Sequence, residues 1–252
     1  MAALGLALEI FGPAALVAGI ASFLMAAIGH RRLPSASQRW TIPAALAIGY
    51  YAGYLVLPRS WAALVPQPQQ AWQWLPYLGP LAAGCATLVG SRRRVHWLAM
   101  ASLAIVSGAL LTPTWPIFGL TWPVSIVILT AYLIGLELLL RFCLQRTSAF
   151  GLLGMLSPAA AIAALCIGIV LSTRIAQLAA IAATAFLGCW LAQFAVLKSN
   201  ERSSSSIIPV FTILVAGTAF TACVDPDPPK WPLLLLPAVP IALSPFARRK
   251  IS

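Results

Sequence analysis

Residues 152–197 read LLGMLSPAAAIAALCIGIVLSTRIAQLAAIAATAFLGCWLAQFAVL, an apolar stretch with one polar break at Ser172, Thr173, Arg174 and Gln177. As one helix it would run about 69 Å, roughly twice the hydrocarbon thickness of a bilayer. A tight turn at the break divides it into two runs, 152–172 and 177–197, each about long enough to cross a membrane once. Seven more apolar runs lie outside it, at 7–28, 41–57, 75–90, 95–112, 117–140, 207–223 and 231–246. The chain is therefore expected to be an all-α integral membrane protein, a single polytopic domain over 1–252 with nine transmembrane helices.

Composition gives the same class. Of the 252 residues, 61% are apolar and 8% are charged, against about 25% charged in an ordinary soluble domain. The mean hydropathy is +0.92. A soluble fold of this size lacks the polar side chains to cover itself, and a disordered chain would be poor in apolar ones.

The net charge of +11 would suggest nucleic acid were it not for its placement. Thirteen of the sixteen basic residues stand in five groups between apolar runs: Arg31, Arg32 and Arg39; Arg92, Arg93 and Arg94; Arg141 and Arg146; Lys198 and Arg202; Arg248, Arg249 and Lys250. Nine alternating spans put every group on one face, which the positive-inside rule makes cytoplasmic. The N-terminus is then outside and the C-terminus inside. The expected partners are the bilayer itself and the anionic lipids of its cytoplasmic leaflet. Membrane-protein partners or a homo-oligomer stay open, and nucleic acid is not expected because no recognition motif accompanies the charge. Short loops suggest a bacterial inner membrane. No basic residue precedes the first run, so it reads as a span rather than a cleavable signal.

Aromatic placement agrees with this sidedness. Runs entering from outside tend to open with an aromatic residue beside a proline, as at Trp74 and Pro76, Trp122 and Pro123, and Trp231 and Pro232. Trp74, Trp115, Trp122 and Trp231 are expected as interface anchors, where the ring is half apolar and its N–H stays wet. Gly53, Gly108, Gly168 and Gly217 recur in successive outward runs. They fit either a weak internal repeat or the small residues that close helix contacts need, and the second is favoured.

Ionisable and kinked positions are the candidates for function. Glu137 is the one acid well inside a run, four residues before Arg141 on the same helix face. It suits a proton- or cation-coupling carboxylate, or an ion pair at the inner boundary, the ordinary reading so near a helix end. Arg174 could meet an anionic substrate at the outer mouth, and Gln193 could hydrogen-bond between helices. Pro80 in the third run and Pro240 in the ninth interrupt short spans of the kind that surround transporter sites.

No catalytic residues, metal ligands or cofactor are assigned. Asp225 and Asp227 are too few for calcium, the five cysteines form no C-x-x-C pair, and no hydrolase or nucleotide motif appears. An enzyme is the least expected class. The preferred expectation is a transporter or permease-like protein for a neutral, apolar or amphipathic substrate, with a pathway at Pro80 and Pro240. The alternative is a non-catalytic membrane subunit that anchors a larger complex.

Overall fold

The computed structural model describes residues 5, 8–32, 35–57, 68, 70–87, 93–113, 120–144, 147–170, 173–197, 206–224 and 230–242. These are helical almost throughout and contain no strand. Helices follow the apolar runs, with a short 3₁₀ turn at Ala71–Trp74 leading into the third. They are α1 (Pro13–Arg32), α2 (Ser35–Val56), α3 (Leu75–Thr87), α4 (Arg93–Leu111), α5 (Trp122–Leu144), α6 (Ala149–Val170), α7 (Thr173–Ala192), α8 (Ile208–Val224) and α9 (Trp231–Ala242).

Each helix overlaps one apolar run, but they are unequal as membrane spans. Five described helices have the length and hydropathy to cross: α1, α4, α5, α6 and α7. Although α2 has 22 residues, it opens on Ser35, Ser37, Gln38 and Arg39. With 13 described residues, α3 extends only about 20 Å. Both α8 and α9 are shorter apolar helices, and α9 is wound as a 3₁₀ helix over Trp231–Ala238.

The surface is inverted relative to a soluble protein. Large apolar side chains stand outward along the long helices: Leu16, Ile20, Leu98, Val127, Phe142 and Ile169 are all more than half exposed. Polar groups lie inside, with Ser22, Ser107, Thr218 and Glu137 buried. An apolar belt of this extent has to be covered, as it would be on helices long and apolar enough to cross a membrane.

Small residues let the helices approach. On α2, Gly49 and Gly53 are four apart and face α1, so a Cβ on Gly53 would fall 2.7 Å from the Ala14 carbonyl oxygen and 2.8 Å from Ala18 Cβ. On Gly49 it would collide with Ser22, whose hydroxyl donates to the Ala45 carbonyl at 3.2 Å. Across the other side of α1, a Cβ on Gly188 of α7 would overlap the Gly19 carbonyl. Such close backbone approach is how helices associate where no water drives them together. The recurring glycines likewise meet unrelated neighbours, Thr130 at Gly108, Ile10 at Gly168, Leu75 and Leu111 at Gly217.

At the centre is α8, whose every residue is buried. It touches α2, α3, α4, α5, α6, α7 and α9. A helix apolar on all sides belongs in such a position. Its winding opens into a π turn at Thr212–Ala216.

Contacts between helix ends sort into two groups. At one end Gln177 Nε2 donates to the Glu9 carbonyl at 2.8 Å, Trp122 Nε1 donates to the Thr112 carbonyl at 3.4 Å, and Leu233 shares an apolar cluster with Ile10, Ala176 and Cys223. At the other end Gly29 abuts Thr41, Arg141 lies over Trp97, and Phe150 stacks on Trp190.

Candidate functional site

The buried face of α5 is a stripe of Ser125, Leu129, Leu133, Leu136, Glu137, Leu140 and Leu144, the three- and four-residue spacing of one helix side. Glu137 falls in this stripe and points into the bundle, only 4% exposed. An isolated carboxylate there would be costly to ionise, and a paired one needs its remaining lone pairs satisfied as well.

Both requirements are met. Arg141, one turn on, donates from Nε to Glu137 Oε1 at 2.6 Å. From α8, the Thr212 hydroxyl donates to Glu137 Oε2 at 3.0 Å. The carboxylate is thus held from its own helix and from the central one.

Thr212 is free to reach Glu137 because of where it sits. The hydroxyls of Thr112, Thr184 and Thr218 fold back to carbonyls four residues earlier in their own helices, the usual habit of a mid-helix threonine. Thr212 opens the π turn, and its backbone N–H is shared between the Ile208 and Pro209 carbonyls. Single π turns inside α-helices occur often at functional sites.

Beside this carboxylate is a small cavity between α4, α5 and α8, about 60 Å³ in volume. Its wall is apolar, formed by Trp97, Met100, Leu133, Ile134 and Ile213, with Glu137 and Thr212 as its polar members. The Arg141 guanidinium carbon lies 5.8 Å from the centre of the Trp97 ring, within cation–π range.

Of the residues singled out in the sequence, the structure brings together Glu137 and Arg141. Pro80 is exposed on α3, at a surface groove with Trp40 and Tyr51 of α2. Pro240 is buried in α9, Arg174 is exposed in the first turn of α7, and Gln193 is buried at the opposite end of that helix. None of these four lines the Glu137 cavity. Trp122 and Trp231 are about half exposed, Trp74 is half-buried with its ring 6.0 Å from that of Tyr77, and Trp115 lies outside the described residues, as do Asp225 and Asp227. The sequence reading passed over Thr212. Thr212 had a signal, being a polar residue inside an apolar run just after Pro209.

The chemistry open to this site is hydrogen bonding and charge pairing. Among the described residues, no group of three His, Cys, Asp or Glu is placed to hold a metal. The five cysteines are free thiols, dispersed through the bundle. The fold and its apolar exterior define a helical integral membrane protein. Comparison with protein-family models, curated proteins and solved structures found no match.

Proposed function

We propose that the chain is a permease-like protein of a bacterial inner membrane, carrying a neutral, apolar or amphipathic substrate. The observation that carries this reading is the Glu137 carboxylate, held between α5 and the π turn of α8 at the wall of an apolar cavity. Small-molecule sites have this make-up, an apolar lining with few polar groups set to orient the ligand. An anchoring subunit has no need of a buried ion pair beside a cavity, since such a pair contributes little net stability.

In this reading the chain crosses the membrane nine times, N-terminus outside and C-terminus in the cytoplasm. The alternating basic groups support that sidedness, and the sorting of helix ends into two sets fits alternating crossings. A buried α8 need not match the bilayer thickness, because protein rather than lipid surrounds it.

Native mass spectrometry of the full chain, gently extracted from its own membrane, tests the function. A lone protomer or homo-oligomer retaining a small amphiphile is the expected result. A stoichiometric assembly with other proteins and no retained small molecule would overturn it in favour of an anchoring subunit.

A further inference from the structure

Trp97 lines the Glu137 cavity, and behind it, outside the cavity wall itself, stand hydrogen-bonding groups with nothing to bind. Arg141 uses Nε on Glu137, while its Nη2 is buried and makes no hydrogen bond. His96 is 7% exposed, and both its ring nitrogens are buried without a partner. The two side chains flank one indole. The imidazole centre lies 5.6 Å from that of Trp97, the guanidinium carbon 5.8 Å, and His96 is within electrostatic reach of Arg141.

Buried polar groups in native proteins nearly always have partners, and each one unmet costs about 1–3 kcal/mol. Three such atoms around one ring mark a place for a ligand. Their chemistry selects it. A guanidinium can only donate, and an imidazole donates from both nitrogens once protonated. A neutral imidazole donates from one nitrogen, so an arriving oxyanion can accept from Arg141 Nη2 and from one His96 N–H. A cationic head would meet Arg141 and no free acceptor but a neutral imidazole.

We propose that His96 and Arg141 form a head-group subsite for the oxyanion of a single-tailed amphiphile, a carboxylate or phosphate monoester whose tail enters the cavity past Trp97. This rests on the permease reading and gives it a substrate class. At about 60 Å³ the cavity is well below the size of ordinary small-molecule pockets, so it takes the end of one chain and excludes the two tails of a phospholipid.

The full chain in detergent, titrated separately with dodecanoate, dodecyl phosphate, dodecanol and dodecyltrimethylammonium, tests the subsite by counting adducts in native mass spectra. The two anionic heads are expected to bind about tenfold tighter than dodecanol, as charge-assisted hydrogen bonds allow, and the cationic head weakest. His96→Phe keeps a ring beside Trp97 and should erase the anionic preference while dodecanol binding persists. The double variant Glu137→Gln, Arg141→Gln removes the guanidinium without stranding a charge and should do the same, so that poor folding of either variant still leaves a reading.

Equal retention of anionic and neutral heads by the wild-type chain would overturn the subsite and leave the permease reading standing. Retention of none of the four would overturn both. Preference for phosphatidylglycerol over dodecyl phosphate, lost in His96→Phe, would overturn the single-tail assignment in favour of a bilayer lipid.

Discussion

Glu137 is where burial, charge and hydrogen bonding meet in this molecule, and its neighbours predict how it responds to change. Arg141→Met leaves a buried carboxylate without its cation, and breaking such a pair on one side costs about 3–5 kcal/mol. The double variant Glu137→Leu, Arg141→Met replaces both charges with apolar bulk and should recover most of that loss. Thermal unfolding in one detergent compares the two, and equal destabilisation would mean that the pair does not act as a unit. Thr212→Val keeps shape but deletes a hydrogen bond to a charged acceptor, about 1.5–3 kcal/mol. At this scale the sequence was half legible. A single acid in an apolar run draws attention, but α5 is apolar on every side, so periodicity could not say whether Glu137 faced lipid or bundle. Its partner on α8, 75 residues away in the chain, leaves no local trace.

Among the helices, closeness decides. The α1–α7 contact has no room for a methyl group at Gly188, where the obstacle is the backbone of Gly19 rather than a flexible side chain. Gly188→Ala is therefore expected to push the helices apart and lower the unfolding temperature. Gly135→Ala on α5 meets nothing within 4 Å and should be neutral or slightly stabilising, because alanine is the better helix former. Matching thermal shifts for the two would show that the α1–α7 contact is not tight.

The winding of α9 has a comparable cause. Pro237 has no N–H for the Leu234 carbonyl three residues back, the acceptor a 3₁₀ helix would use. The Tyr132 hydroxyl donates to that carbonyl at 2.8 Å. Tyr132→Phe should cost about 1 kcal/mol through loss of this link between α5 and α9, read as a lower unfolding temperature. Prolines announced an irregular element, but not which side chain would complete it. The recurring glycines were legible as packing positions, since small residues serve wherever membrane helices touch.

For the whole molecule, class was the easiest property to read, because an apolar share of 61% leaves no soluble alternative. That helices form along the apolar runs followed from the breaks between those runs. Which of them meet lipid did not, because a helix enclosed by others and one enclosed by lipid are both apolar throughout. Nine crossings require termini on opposite sides. A C-terminal green fluorescent protein should therefore fluoresce, and a cysteine-reactive probe that cannot cross the membrane should reach a cysteine placed at the N-terminus. Termini on one side would rule out an odd count.

Enclosure of α8 also bears on how the chain is made. Translation delivers α1 to α7 before the helix that touches nearly all of them exists, so the growing protein passes through a stage with a vacant axis. During that interval the inward face of α5, Glu137 included, has no Thr212 to bind and must be sheltered by lipid, water or an insertion chaperone. Chains arrested before residue 206 should accordingly be caught by membrane proteases in pulse-chase experiments, and chains carried through α9 should survive.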